Sequence, residues 1–519
     1  MARILVSEKI ADPGLDRLRA AGHEVDVQTD LTPETLLHAV VGAHALIIRS
    51  ATTVTAEVLA AGKDLVVVGR AGIGLDNVDT DAATAQGVMV VNAPQSNILT
   101  TAEHTMAMLL AQARNIPQAH AALVQGRWER SKWEGVELAD KTLGIVGLGR
   151  IGKLVAQRAL AFGMKVVAHD PFVAPERARQ INVELLGLDE LVQVADFLTL
   201  HVVKTPETLG MISEDLLRKA KPNLRIVNVS RGGVIDETAL ADAIRDGRIA
   251  GAAIDVFASE PTTESPLFDL PSVVVTPHLG ASTAEAQDKA GETIAEMVQL
   301  ALAGEFVPFA VNVSAAEASA TVRPYLPLAE RLGQLYASLA AGVPDVLEIS
   351  YEGQLAEDDT RILTLSLLKG VFGKVSEEPV SYVNAPRLAA ERGVEVRESS
   401  SVTSHDYVNL ITIRGGDHAI GGTLAGVRGE PRIVMVDEHK IDVPPAEHML
   451  VVRNDDVPGR IAAVTSELGQ AGINIDDMHL GRSSEGAAAL MVLATSVAVP
   501  DEVQQAIAAL DGVVSAVAL

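Results

Sequence analysis

Thirteen histidines could move protons in this chain, and one of them stands apart. His278 lies in VVVTPHLGAST, just past an apolar run that reads as a strand. That places it at the C-terminal edge, where open parallel sheets hold their ligands. Two more strand ends carry partners for it: IDVFASEP brings Asp255 and Glu260, and NVSRGG brings Arg231. A base, a carboxylate and an arginine at three strand ends of one lobe make a set suited to hydride transfer. His278 would take a hydroxyl proton as hydride leaves the same carbon, and Glu260 would hold the imidazole and strengthen it as a base. Arg231 would grip a carboxylate in fork geometry and polarise the reacting oxygen. The other histidines have plainer settings: His104 lies in a long helical stretch, His38 and His44 flank a strand, and each reads as structural or surface.

Hydride needs an acceptor, and KTLGIVGLGRIGK supplies a place for one. Gly147, Gly149 and Gly152 form G-x-G-x-x-G between a strand and a helix. The first glycine permits the tight turn, the second lets the backbone approach a pyrophosphate, and the third lets helix and strand pack closely. The phosphates then sit at a helix N-terminus, where free N–H groups and the helix dipole favour anions. The glycines alone are a weak signal, but the next strand, MKVVAHD, ends at Asp170. A carboxylate there accepts from both ribose hydroxyls and repels a 2′-phosphate. Pro171 and Phe172 follow instead of an arginine, so the expected cofactor is NAD rather than NADP. GRAGIG (Gly69–Gly74) follows another strand, without an acidic strand end behind it. It reads as a plain turn or as exposed N–H groups suited to a substrate carboxylate or phosphate.

The 519 residues carry a net charge of −26. Such a surface keeps a protein in solution and argues against nucleic acid, whose phosphates need a basic face. It also repels an anionic substrate, so a local cluster of arginines must overcome the field. Cysteine is absent, which excludes disulfides, thiolate nucleophiles and Cys-ligated metals; no metal site is expected. The opening MARILVSEKIADPG goes straight into a strand without a signal-peptide pattern, and no apolar run approaches the roughly 20 residues that span a bilayer. The expected location is the cytoplasm, with no membrane partner.

These groups need a scaffold. ARILVSE, HEVDVQ, ALIIRS, LVVVGR and VMVVNA alternate with helical stretches, which implies a parallel sheet covered on both faces. A long helix, TAEHTMAMLLAQARNIPQAHAALVQG, follows. A second α/β series then begins at Lys141, so the fold class is α/β with two lobes and a cleft between them. DKAGETIAEMVQLALAG reads as a helix returning to the first lobe. The expected division is 1–97 with 283–312, 98–282, an α+β domain at 313–445, and a last domain at 446–519 with βαββαβ order.

GLGRIG, NVSRGG, DVFASEP and PHLGAST, in this order, resemble the D-isomer-specific 2-hydroxyacid dehydrogenases over about residues 1–312. The resemblance implies two lobes of Rossmann-like and flavodoxin-like type. It implies that Arg231, Glu260 and His278 are catalytic. It places NAD on Gly147, Gly149, Arg150, Ile151, Gly152, Asp170, Val202, Val229, Ser230, Arg231, Asp255, His278, Leu279, Gly280 and Ala281. Within the family, IIRSATTV, GRAGIGLDNVD and APQSNILTTAEH are similar to members that oxidise D-3-phosphoglycerate to 3-phosphohydroxypyruvate, the entry to serine synthesis. That implies Arg49, Ser50, Gly72 and Asn97 face the substrate, with Arg70 at a strand end adding compensating charge. GRWERSKW, with Arg127, Arg130 and Lys132, is a basic loop with two aromatics. In relatives such a loop reaches a neighbouring subunit's cleft, which implies a homo-oligomer, expected as a tetramer; an exposed basic loop is the plain alternative. Rival readings are the same chemistry on hydroxypyruvate or 2-oxoglutarate, and a non-catalytic NAD-sensing protein.

The tail resembles an ACT domain, a small amino-acid-binding module, and 313–445 resembles the extra domain of the long-form enzymes. VVRNDDVPGRI places the Pro458-Gly459 turn at the start of the module's first helix. Exposed N–H groups there suit a carboxylate, while Asn454, Asp456 and Asn474 suit an ammonium group. In the family the effector is L-serine; the alternative is a module that only dimerises. Arg428, Arg432 and Lys440 in the middle domain read as scattered surface cations or anion contacts.

Overall fold

Short runs of Val, Ile and Leu buried on both faces become central strands of two parallel sheets, as sheets covered by helices on both sides require. The computed structural model describes residues 1–313, 318–376, 380–437, 439–482 and 488–519. The first sheet holds β1 (Arg3–Val6), β2 (Glu24–Val27), β3 (Ala45–Ile48), β4 (Val67–Arg70) and β5 (Met89–Asn92) in the order β2-β1-β3-β4-β5. Every pair is parallel, and the order is flavodoxin-like.

The second sheet holds β6 (Thr142–Val146), β7 (Lys165–His169), β8 (Glu184–Leu185), β9 (Phe197–Leu200), β10 (Arg225–Asn228), β11 (Gly251–Ile254) and β12 (Val273–Val275). Its order is β12-β11-β10-β9-β6-β7-β8, again parallel throughout. This is the doubly wound dinucleotide-binding order with one further strand, and the strand order reverses between β6 and β9.

Two helices tie the lobes together. The helix Ile98–Ala113 buries Ala102, Met106, Met108 and Leu109 in the second-sheet core. The helix Ala284–Leu302 leaves the second sheet and packs Ile294, Met297 and Val298 into the first-sheet core. There it meets the helix Asp12–Ala20 at bare backbone: a Cβ on Gly14 would stand 2.5 Å from the Gly291 carbonyl oxygen. The stretch expected as one long helix is two, Ile98–Ala113 and Ile116–Val124. Asn115 turns left-handed at φ 51° and Pro117 falls in the second helix's first turn. Carried through Pro117, a single helix would lose a hydrogen bond and clash with the carbonyl one turn back.

A mixed six-stranded sheet between Val346–Gly353 and His439–Val443 packs against the helices Leu326–Leu339 and Arg361–Val375. The last module has the order Met449–Asp455, helix Arg460–Gln470, Ile475–Arg482, Ala488–Thr495, helix Asp501–Ala508, Val513–Ala518, the βαββαβ pattern read in the sequence. Its Met449, Val451, Leu490 and Val492 share one core with the mixed sheet. The mixed-sheet unit also meets the first lobe: Val383 is buried in the first-sheet core, and Ser381 Oγ donates to the Gly87 carbonyl at 3.3 Å.

Candidate functional site

The glycine loop follows β6, at the point where the strand order reverses. Gly147 has φ 93°, and a Cβ there would stand 2.4 Å from the His201 carbonyl oxygen at the end of β9. A Cβ on Gly152 would stand 2.2 Å from Gly147 O, so the helix Arg150–Ala161 can begin this close only without a side chain there. Around Gly149 there is open space instead, which suits the close approach of a pyrophosphate. Arg150 is exposed and Ile151 half-buried in the first turn of that helix. Val202 packs by the turn, 3.0 Å from the position of a Gly147 Cβ. Asp170 follows β7 and closes over the loop: its carboxylate accepts from Leu148 N at 2.7 Å and from Phe172 N at 2.9 Å. The His201 ring is pushed down to about 3 by burial, so it is neutral at working pH. These features fit NAD: the open space at Gly149 and the acidic end of β7 are what its diphosphate and ribose would need.

Three loops at the C-terminal edge of this sheet meet next to it. After β10, Ser230 N and Oγ both donate to Asn228 Oδ1, and Asn228 Nδ2 donates to Arg231 O, which fixes the turn carrying Arg231. Gly232 lies so close to the next loop that a Cβ would overlap Phe257 O at 1.7 Å. Phe257 N donates to Glu260 Oε1 at 2.8 Å, and Glu260 Oε2 takes a hydrogen bond from His278 Nδ1 at 2.6 Å. Burial alone would raise the Glu260 carboxyl, but the bonds from His278 and Phe257 N outweigh it and hold it below the ordinary carboxylate value. With Nδ1 engaged, Nε2 is the ring nitrogen left to exchange a proton with a ligand.

His278 has a left-handed backbone, φ 54°, which costs a non-glycine residue about 1–2 kcal/mol. Asp255 holds it there. Its carbonyl accepts from His278 N at 2.8 Å, and its carboxylate accepts from Leu279 N at 2.8 Å and Gly280 N at 2.9 Å. Thr276 Oγ1 donates to the same carboxylate at 2.5 Å, and His104 Nε2 lies 3.3 Å away. Asp255 is fully buried; burial would raise its carboxyl, but the bonds from His104, Thr276 and Leu279 N hold it low. Thr101 Oγ1 donates to Gly280 O, and Val229 packs on Gly280, so the loop is clamped from both sides. Ala281 lies at the cleft wall.

The first lobe faces this set with cations. Asp76, in the loop after β4, reaches across to Arg231 Nε at 3.3 Å. Arg70 is pushed down to about 10, first by burial and then by the Arg231 charge, with Arg49 adding to the effect; it remains a cation at neutral pH. Gly72 lies under the Arg70 guanidinium, where a Cβ would stand 2.5 Å from it. Two residues that the sequence reading missed hold this cluster. Glu8 accepts from Arg49 N, Ala51 N and Thr52 N, which shapes the loop containing exposed Ser50. Asn77 accepts from Arg70 Nε and donates to Arg49 O and Thr52 O. Asn77 stood in GLDNVD, but nothing local marked it as the stitch between two loops. Arg49, Gly72 and Asn97 line a cavity with Lys9, Ser96, Ala281 and Gln287.

Arg130 and Lys132 are not brought to that cavity. They sit on the exposed turn Arg130–Trp133, where Lys132 pairs with Glu129 at 3.8 Å and lies over Trp133; Arg127 also binds Glu129. Trp128 beside them is 82% exposed. In the last module Gly459 has φ 101° and opens the helix Arg460–Gln470, with Arg460 held by Asp455 at 2.6 Å and Asp511 at 3.2 Å. Asn454 is buried: its Nδ2 donates to Asp455 O, and its Oδ1 has no partner among the described residues. Asp456 is exposed on the turn, and exposed Asn474 donates to Asp476. In the middle unit Lys440 pairs with Asp406 at 2.7 Å, Arg432 lies near Glu430 and Asp442, and Arg428 is exposed. Among the described residues there is no cluster of metal-ligating side chains, and no helix is long and apolar enough to cross a membrane.

Fold and site together define an NAD-dependent 2-hydroxyacid dehydrogenase. The family model for the NAD-binding domain of D-isomer-specific 2-hydroxyacid dehydrogenases matches residues 106–280. The models for the D-3-phosphoglycerate dehydrogenase intervening domain and for the ACT domain match 321–437 and 448–512. D-3-phosphoglycerate dehydrogenase of Mycobacterium leprae is 48% identical over 98% of this chain and 97% of its own, and that of Archaeoglobus fulgidus is 40% identical over 99% of each. The chain belongs to the D-3-phosphoglycerate dehydrogenase family. Solved structures with the same architecture over part of the chain include a Thermus thermophilus protein, 36% identical with TM-score 0.56 over 60% of this chain and 99% of its own. D-lactate dehydrogenase of Escherichia coli is 26% identical, with TM-score 0.53 over 60% of this chain and 100% of its own.

Proposed function

We propose that this enzyme oxidises D-3-phosphoglycerate to 3-phosphohydroxypyruvate with NAD, the first step of phosphorylated serine synthesis. The observation that carries the reading is the His278–Glu260 pair at 2.6 Å on the same sheet edge as Arg231, with Arg70 and Arg49 on the first lobe. NAD, held by the Gly147–Gly152 loop and Asp170, would supply the hydride acceptor for C2 of the acid. His278 Nε2 takes the proton of the C2 hydroxyl, and the Glu260 carboxylate stabilises the imidazolium that forms. Arg231 grips the substrate carboxylate and polarises the reacting oxygen, while Arg70 and Arg49 offset the remaining negative charge.

In this reading 1–97 with 283–312 bind the acid and 98–282 bind NAD. Residues 313–445 form the intervening domain, and 446–519 a regulatory module that takes an amino acid, L-serine, at Asn454, Asp456 and Asn474. The enzyme works in the cytoplasm as a homo-oligomer, a tetramer, with Arg130 and Lys132 extending toward a neighbour's cleft. The test is NADH consumption with 3-phosphohydroxypyruvate, with and without serine. Absence of turnover sinks the catalytic reading, and turnover indifferent to serine sinks only the regulatory one.

A further inference from the structure

In the sequence His104 reads as structural or surface; in the fold its ring stands against the carboxylate that shapes the proton-accepting loop. That loop needs support. His278 has φ 54° and leads directly into Leu279 and Gly280, whose N–H groups both donate to the Asp255 carboxylate. A non-glycine residue keeps such a backbone only where its surroundings over-determine it. Whatever fixes the Asp255 carboxylate therefore fixes where His278 presents Nε2.

The helix Ile98–Ala113 supplies the support from one face. Thr101, His104 and Met108 follow one another at i, i+3 and i+7, so they lie on the same side of the helix. All three meet the loop. Thr101 Oγ1 donates to Gly280 O at 3.1 Å, His104 Nε2 is 3.3 Å from Asp255 Oδ1, and Met108 Sδ lies 3.6 Å from Thr276 Oγ1. An ionised carboxylate only accepts, so the His104 contact requires a hydrogen on Nε2. Thr276 Oγ1 is 3.4 Å from the same nitrogen and gives its own hydrogen to Asp255, so the three groups form one small network. Asp255 is fully buried, and among the described residues no lysine or arginine pairs with it. Burial pushes its carboxyl up, and the bond from His104 comes first among those that bring it back below the ordinary carboxylate value. The same helix buries Ala102, Met106 and Leu109 in the second-sheet core, so His104 stands on a fixed base.

We infer that His104 is a positioning residue for the hydride-transfer step: its Nε2–H bond holds the Asp255 carboxylate, and through it the His278 loop. The inference rests on His278 as the proton acceptor and adds a second histidine that acts through the first one's loop. Its loss disturbs the placement of the base and leaves Arg231 and the first-lobe arginines in place, so it shows in kcat more than in KM.

The test uses three variants of the full-length enzyme. His104→Leu fills the space without a donor. Its kcat for reduction of 3-phosphohydroxypyruvate falls about tenfold, the effect of one lost bond to a buried charge, while KM stays within about twofold. His104→Gln puts an amide N–H near the place of Nε2 and returns kcat to within about threefold of native. His104→Asn is as polar as glutamine but too short to reach the carboxylate, and it loses as much as leucine does. A native kcat in His104→Leu, equal losses in the glutamine and asparagine variants, or a loss confined to KM or NADH affinity overturns the assignment. If His104→Leu does not fold, the comparison of glutamine with asparagine decides alone. A second readout needs no turnover: amide hydrogen exchange at Leu279 and Gly280, whose N–H groups Asp255 protects. Exchange there is about tenfold faster in the leucine and asparagine variants and near native with glutamine. Unchanged protection in all three overturns the assignment as well. If the native enzyme does not reduce 3-phosphohydroxypyruvate, the proposed reaction fails, and the exchange measurement then decides the role of His104 on its own.

Discussion

Glu260→Gln keeps the shape of the side chain and removes its charge, which isolates what the carboxylate contributes. At 2.6 Å the pair with His278 Nδ1 is a short, charge-assisted hydrogen bond. When His278 takes the substrate proton, the imidazole becomes a cation, and the carboxylate stabilises that cation more than an amide does. Bonds to charged groups contribute about 1.5–3 kcal/mol against about 1 for neutral ones. The Glu260 and His278 side chains are 32% and 45% exposed, so solvent screening trims the difference toward about 1–1.5 kcal/mol. At 1.36 kcal/mol per factor of ten, kcat/KM for oxidation of the acid falls about tenfold. NADH binding, followed by its fluorescence, stays within about twofold of the native value. The assay is the initial rate of NADH formation across pH, with stopped-flow NADH titration beside it. A loss of kcat/KM below about twofold, or an equal loss of NADH affinity, would refute the reasoning, since either result means that the carboxylate does not act through the proton-accepting ring.

His278→Ala removes the proton acceptor itself; turnover drops by at least 10²-fold, in the range general bases supply, while NADH affinity is retained. Equal loss of both would show that the loop, not the base, had been disturbed. Gly147→Ala forces φ 93° on a residue with a Cβ and drives that atom to 2.4 Å from His201 O. Together these cost about 3 kcal/mol, measured as a lower thermal midpoint and weaker NADH binding. Glu260 and Asp255 both titrate below their ordinary values in the folded protein. Their contribution is therefore complete above the unfolded carboxylate range, about pH 4–4.5, and is lost as pH falls through the folded values below it. Denaturant midpoints should thus fall below about pH 4, and Asp255→Asn should lower the neutral plateau and flatten that fall.

What the sequence disclosed was what short motifs can carry. The strand–glycine–helix unit at Gly147–Gly152, the alternation that builds two parallel sheets, the βαββαβ tail and the three strand-end loops were all legible, because each is a local pattern. The split at Asn115–Pro117 had its signal in the proline, which the strong apolar periodicity on both sides overrode. The residues missed belong to contacts distant in sequence. Glu8 acts on N–H groups more than forty residues away, and Asn77 joins loops that follow two different strands. Asp255, which the resemblance places at NAD, also accepts with its carboxylate from Leu279 N, Gly280 N and Thr276, an arrangement no spacing reveals. The Asn454 side chain, read in the sequence as a contact for an ammonium group, is buried and donates to the neighbouring backbone, a burial no spacing reveals.

The acidic surface and the cationic cleft look opposed, and distance resolves the conflict. At physiological ionic strength charges separated by more than about 8 Å are largely screened. The net charge of −26 therefore acts weakly on a substrate anion at a distance. Near the cleft stand the fixed charges of Arg49, Arg70 and Arg231, and burial makes the interactions of Arg70 stronger than they would be in water. Arg70 shows the cost of gathering them: burial and its neighbours push its guanidinium down to about 10. A dianionic or trianionic acid relieves that mutual repulsion, whereas a neutral or singly charged one relieves less of it. The arginines therefore select as well as attract, since part of the binding energy for a phosphorylated acid comes from repulsion already present in the empty cluster. Asp76 at Arg231 is the only carboxylate among the described residues that pairs with one of these three guanidinium groups, so the cluster is left under-neutralised on the side where the acid enters.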